Sequence, residues 1–197
     1  FTHTRRACYT GSVPQAIVNN LAPLLFIVFQ THYAVPYERL GRLVLLNFAT
    51  QLATDLVAVT LVDRTGYRAP LVLAHGCCVV GLVLLAVLPS VLASPYLGLS
   101  LAIAVYAIGG GLLEVVVSPV VDALPSPPED KAAAMSLLHS FYCWGQVAVV
   151  LGTTLLLGQI GQHVWQALPL VWAVVPLANG AVCLWVPLPP TVPETHR

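Results

Sequence analysis

Three stretches of this 197-residue chain, residues 7–37, 69–113 and 132–193, contain no Asp, Glu, Lys or Arg. A soluble domain draws about a quarter of its residues from those four types; here they make up 8%. Uncharged runs of 31, 45 and 62 residues cannot cover a surface that faces water, so lipid must be the solvent for most of this chain. A hydrocarbon core about 30 Å thick is crossed by roughly 20 apolar residues in a helix. The two longer runs therefore hold two spans each and the first holds one. A sixth span is expected from Leu43 to Val62, interrupted only by Asp55. The expected spans are residues 10–30, 43–62, 69–88, 96–118, 133–157 and 166–186. Runs such as VVGLVLLAVL are apolar on every face, which excludes the alternating pattern of barrel strands. The fold class expected is an all-α, polytopic, six-helix membrane bundle.

The connectors HYAVPYERLGR, DRTGYR, PSVLASP, DALPSPPEDK and GQIGQHVWQ carry the Pro and Gly that mark breaks between helices. The first span is long and holds Gln15, Asn19, Asn20 and Pro23, unlike the short apolar core of a cleaved signal. With the N-terminus inside, cytoplasmic segments would hold Arg5, Arg6, Arg64, Arg68, Lys131 and Arg197, and outer segments only Arg39 and Arg42. That bias puts both termini in the cytoplasm and makes the chain a multi-pass protein of the plasma or inner membrane. The expected division is a cytoplasmic tail at 1–9, a membrane domain at 10–186 and the start of a cytoplasmic linker at 187–197. The chain begins with Phe and ends in the Pro-rich PLPPTVPETHR, which suggests a piece of something longer. Eight basic and eight acidic residues cancel, leaving no electrostatic footprint for nucleic acid. Cys8, Cys77, Cys78, Cys143 and Cys183 form no CxxC pair, so neither a disulfide framework nor a metal site is expected.

Polar residues inside the spans are where function would sit. Glu114 lies in IGGGLLEVVVSP, with Gly110 and Ser118 four residues to either side and Tyr106 eight before, nominally on one helical face. An ionised carboxylate at that depth is costly, so Glu114 should hold its proton until water reaches it, as a proton carrier does. The alternative is a neutral acid bonded to a neighbouring helix. Asn47, Gln51 and Asp55 recur at i, i+4 and i+8; a polar stripe in a span must meet protein or water. Asp55 is equally well a second protonatable group or a structural one. In MSLLHSFYCWGQ, residues His139, Tyr142, Cys143 and Gln146 share a face, with Trp144 nearby as a stacking surface. Pro23 beside Asn19 and Asn20 suggests a broken helix at a solute site. His75 reads as a structural histidine without polar company. No GxSxG, HExxH or GxxxxGK[ST] sequence is present, so neither an enzyme nor a cofactor is expected.

The connector LVDRTGYRAPL resembles the signature loop of the major facilitator superfamily, G-x-L-A-D-R-x-G-R-R-x-x-L, with Asp63, Arg64, Gly66, Arg68 and Leu71 in register. Val59, Val62 and Tyr67 depart from it. NNLAPLLFIVFQ, GGGLLEVVVSP and MSLLHSFYCWG further resemble the fucose:proton symporter family. That resemblance implies the N-terminal half of a twelve-helix carrier with an inverted three-plus-three repeat, and a gating loop at Asp63, Arg64, Gly66 and Arg68. It also implies a proton-coupling role for Glu114, whose surroundings match a G-x-L-E-x-x-x-x-P pattern. Ala22 and Pro23 stand where that family has an essential Asp, and His139 and Tyr142 where it has sugar-contacting Gln and Asn.

The function expected is secondary active transport of a small polar solute, with sugar as the implied class, coupled to protons by alternating access. Solute contacts are expected at Asn19, Asn20, His139, Tyr142, Gln146 and Trp144, and proton coupling at Glu114 and Asp55. The expected partners are the solute, protons, the lipid bilayer, and the missing C-terminal half or a second copy. Two rivals are a non-transporting scaffold or receptor bundle, which would need no acid in its core, and an intramembrane hydrolase, which would need a Ser or paired Asp beside a base.

Overall fold

A computed structural model describes residues 2–190 of the chain. Among these residues the elements are α1 (Thr2–Leu24), α2 (Phe26–Tyr33), α3 (Tyr37–Thr65), α4 (Arg68–Val91), α5 (Pro95–Ala123), α6 (Pro128–Ile160), a short 3-10 turn (Gln162–Val164) and α7 (Ala167–Trp185). Five helices are long and apolar enough to cross a membrane, and α1 with α2, bent by 43° at Leu25, make a sixth span. The bend follows Pro23, whose ring removes one backbone hydrogen bond and crowds the preceding turn. The six expected spans are thus the six observed ones.

The ends differ: five of the six spans run past their expected bounds, whereas α7 is one residue shorter at each end than 166–186. Charge-free runs mark only the part of a helix that lipid covers, whereas the helices continue past it. Residues 2–9, expected as a tail, are the first turns of α1. Asp63 and Arg64, expected in a connector, are the last turn of α3, and Arg68 opens α4. Only Gly66 and Tyr67 lie between. Gly66 has φ +76°, a conformation that favours glycine because it lacks Cβ. Elsewhere Pro opens the helices: Pro36 precedes α3, Pro95 begins α5 under a Ser94 cap, and Pro127 precedes α6. The part of the expected linker beyond residue 190, with Arg197, lies outside the described residues.

The helices pair as an inverted repeat requires. If α1 and α2, α3, α4 form one triplet and α5, α6, α7 the other, exchanging the triplets turns the α1–α6 contact into α5–α3, and both are extensive. The third members, α4 and α7, pack on each other. The most extensive pair, α4 and α5, approaches closely at glycines. A Cβ on Gly81 would lie 2.5 Å from Tyr106 backbone and Cβ atoms, and one on Gly109 2.6 Å from the Ala74 carbonyl oxygen and Cys78 Sγ. The next two glycines admit other helices: Gly110 faces Val18 and Gln51, and Gly111 faces Gln51, Thr54 and Asp55. The triplet 109–111 therefore gathers α4, α1 and α3 around α5.

One end of the bundle is knit by polar groups around the entry to α1 and the exit of α7. The Thr4 hydroxyl donates to the Pro187 carbonyl at 2.6 Å, and Arg5 Nη2 to Ser126 Oγ at 2.6 Å. Arg68 donates to the carbonyls of Cys183, Leu184 and Val186, the unsatisfied acceptors at the negative end of the α7 dipole. Tyr67, beside Arg68 in the chain, is buried, and that burial, helped by the carboxylates of Asp63 and Asp122, pushes its phenol above the usual range. Arg68→Ala should cost about 1 kcal/mol and fray the end of α7. A lower melting temperature with faster amide exchange near Leu184 checks this, and Arg68→Lys should recover part of it because a single ammonium lacks the guanidinium fork. The far end is closed by aromatic contacts, Trp165 edge-on to Phe29 and Tyr33, and by Arg39 over the Tyr96 ring.

Candidate functional site

The polar stripes of four helices converge on one cleft of about 480 Å³. α1 contributes Ser12, Gln15 and Asn19; α3 contributes Phe48, Gln51, Leu52 and Asp55; α5 contributes Leu113, Glu114, Val117 and Ser118; α6 contributes Leu138, His139 and Tyr142. Spacings of three and four residues put each set on one face of its helix. The contacts among α1, α3, α5 and α6 turn those faces toward each other.

Two hydrogen-bonded groups organise the walls. At one level Gln15 Nε2 donates to Glu114 Oε2 at 3.1 Å, joining α1 to α5. Glu114 is otherwise exposed to the cleft. Toward the α1 break, Asn19 Oδ1 accepts from Gln51 Nε2 at 2.6 Å and from Asn47 Nδ2 at 3.2 Å, while Asn19 Nδ2 donates to the Tyr142 hydroxyl at 3.3 Å. Asn19 thereby ties α3 to α6 through α1, and Asn47 and Gln51 are buried behind it. Asp55 lies against Gly111; its Oδ1 is sealed from solvent and accepts no hydrogen bond among the described residues.

The structure brings Asn19, Asp55, Glu114, His139 and Tyr142 together around this cleft. Asn20 and Gln146 stand aside as a pair, Gln146 Nε2 to Asn20 Oδ1 at 3.2 Å. Trp144 is not with them: its side chain is 71% exposed and lines no part of the cleft. Two residues beyond Tyr142 a helix has turned about 200°, so the ring points away. Tyr106 also leaves the Glu114 face and is fully buried over Gly81, because eight residues overshoot two turns by about 80°. In the loop, Arg68 is engaged with α7, whereas Asp63 and Arg64 are exposed beside the Gly66 turn.

His75 has more polar company than its own helix shows. Its Nδ1 meets the Leu71 carbonyl at 2.8 Å and its Nε2 the Asn179 amide at 2.8 Å. With Nδ1 carrying the proton toward the carbonyl, Nε2 is left to accept. Asn179 also accepts from Thr10 at 2.6 Å and donates to the Ala7 carbonyl at 3.2 Å, which fastens α1, α4 and α7 together. The signal for this node was one Asn in the apolar run VVPLANGAV. Ser12 had no such signal, since a lone serine in a span commonly bonds its own helix, as it does here with the Tyr9 carbonyl.

No curated protein sequence matches the chain. Among solved structures it is similar to the major facilitator superfamily proton:xylose symporter XylE bound to 6-bromo-6-deoxy-D-glucose, with TM-score 0.84 and 14% identity over 95% of this chain and 45% of that one. It is also similar to the inward-open form of XylE from E. coli, with TM-score 0.75 and 14% identity over 95% of this chain and 48% of that one. A D-xylose-proton symporter gives TM-score 0.75 and 15% identity over 96% of this chain and 48% of that one. These likenesses show the fold, and the chain spans just under half the length of each. The sequence matches the Major Facilitator Superfamily over residues 10–197, and the chain belongs to that superfamily.

Proposed function

We propose that these helices are the first half of a proton-coupled carrier that moves a small polar solute of the sugar class by alternating access. The observation that carries this reading is the cleft itself: two carboxylates, amides, hydroxyls and an imidazole on four different helices around one cavity of about 480 Å³, in a wall otherwise made for lipid. Glu114 is the proton carrier and Asp55 a second protonatable group. Asn19, His139 and Tyr142 contact the solute, with the Asn20–Gln146 pair beyond them. The xylose symporters named above support a sugar, and the segments that resemble the fucose:proton symporters support that branch more narrowly. Asp63 and Arg64, at the exposed Gly66 turn, brace the second half, with Arg68 anchoring the turn to α7. Uptake of labelled pentoses and hexoses by the complete carrier in proteoliposomes, driven by an imposed pH gradient, tests this; uptake indifferent to the gradient would sink proton coupling.

The sidedness we propose places the α3–α4 and α5–α6 turns and both ends of the chain in the cytoplasm of a cell's plasma or inner membrane, with residues 10–186 as the membrane domain and 187–197 leading into a linker. In intact cells an impermeant thiol reagent should label Pro36→Cys above the background of the parent cysteines, and leave Ser126→Cys unlabelled. The reverse pattern would invert the topology. The cleft needs a second wall, so the 197-residue chain made alone should self-associate or lose its fold, because amides and carboxylates facing lipid are costly. A stable, transporting monomer would overturn the missing-half reading.

A further inference from the structure

The cleft holds two carboxylates, Asp55 and Glu114, together with the titratable side chains His139 and Tyr142, and among the described residues no Lys or Arg lines it. Both acids line the same cleft, Asp55 from α3 and Glu114 from α5. Among the described residues Glu114 accepts from the neutral amide of Gln15, and Asp55 Oδ1, sealed against Gly111, has no hydrogen-bond partner. One proton on Glu114 neutralises one charge; the other, on Asp55, must be met by a second proton or by a cation, because an uncompensated ion in a cavity walled by apolar helices is costly. Around Asn19, which accepts from Gln51 one turn from Asp55, the network has a fixed polarity. Asn19 donates to the Tyr142 oxygen, and a phenol that accepts there has its own hydrogen free for a solute acceptor.

Resting on the carrier reading above, we infer that the solute bears a positive charge: a protonated amine set against Asp55, with hydroxyl or ether oxygens toward Tyr142, as in an amino sugar. With Glu114 protonated and the ammonium beside Asp55, the loaded pair of acids carries no net charge. A neutral sugar leaves the Asp55 charge to be met by a second proton, and a sugar acid adds a further negative charge. Charge selection of this kind is decided in the cavity, where low dielectric makes a single ion pair worth more than in water.

D-glucosamine, D-glucose and D-glucuronate share one ring and differ in charge, so the experiment compares them as competitors and as labelled solutes for the complete carrier in proteoliposomes, at a pH where the amine is protonated. Glucosamine should be preferred over glucose by about tenfold, the factor an ion pair of about 1.4 kcal/mol supplies, with glucuronate weakest. Asp55→Asn should bring glucosamine and glucose within about twofold of each other, and Asp55→Glu should restore the gap. The ranking on the unmodified protein stands even where Asp55→Asn folds poorly against Gly111. Glucose moved as well as glucosamine would overturn the charge inference and leave the sugar reading intact. Failure of all three sugars with proton-driven uptake of ethanolamine would keep the charge inference and overturn the sugar. Movement of neither sugars nor amine would overturn both.

Discussion

Replacing Glu114 with Gln should abolish proton-driven accumulation while leaving solute exchange partly intact. The substitution keeps the length of the side chain and an oxygen that can still accept from Gln15, whose bond to Oε2 is 3.1 Å. The contact between α1 and α5 therefore survives, and only the capacity to bind and release a proton is removed. A pH difference of one unit is worth about 1.4 kcal/mol per coupled proton, or roughly tenfold accumulation. The variant should lose that whole factor and equilibrate its solute to the same level with and without the gradient. Counterflow, which needs the cleft and the conformational change but no net proton movement, should persist. Accumulation unchanged in the variant would return Glu114 to a hydrogen-bonding contact between helices.

The largest structural effect is expected at the α4–α5 crossing. At Gly81 an added Cβ would sit 2.5 Å from the Tyr106 backbone nitrogen, and at Gly109 2.6 Å from the Ala74 carbonyl oxygen. These are backbone atoms on opposing helices, so no rotamer change can make room. Tyr106 is itself fully buried. Overpacking a close-fitted interior costs about 1–3 kcal/mol even where side chains can shift; here the helices must separate, and with them the faces of α1 and α3 that Gly110 and Gly111 receive. Gly81→Val and Gly109→Val should each drastically cut the yield of monodisperse protein in detergent, with a melting temperature far below the parent's where any is recovered. Gly76→Val, on α4 with open space around its Cβ position, serves as the control and should change stability by no more than about 0.5 kcal/mol. A Gly81→Val protein as stable as that control would refute the close packing.

The membrane spans were legible in the chain because lipid imposes a one-dimensional rule: a run of about 20 residues must avoid charge. Such a rule needs no knowledge of neighbours. The bend at Leu25 was legible for a similar reason, since Pro23 acts on its own turn. The ends of the helices were not, because hydrogen bonding carries α1 back to Thr2 and α3 on to Thr65, where charge is again tolerated. Faces were half legible. The stripe Asn47, Gln51, Asp55 turned inward as its spacing requires, Asn47 buried behind Asn19 and the other two lining the cleft, and so did His139 with Tyr142. Helical period, however, gives an angle about a helix's own axis and drifts with distance, so Tyr106 left the Glu114 face and Trp144 the Tyr142 face.

Periodicity contains nothing about which other helix a face will meet. The partners of Asn19 lie 28, 32 and 123 residues away in the chain, that of Glu114 99 away, and that of His75 104 away. A lone Asn179 in an apolar run and a Gly triplet in α5 each allow several packings, and the spacing of residues along one helix cannot choose among them. By itself the sequence determined the solvent, the number of crossings and which residues must avoid lipid, because those depend on each segment's own transfer from water to hydrocarbon. Only the tertiary structure decided that Asp55 and Glu114 share a cleft, that Arg68 caps α7 and that Trp144 stands apart, because rotation and spacing between helices are set by packing at glycines and buried amides on chains of contact that run across the whole fold.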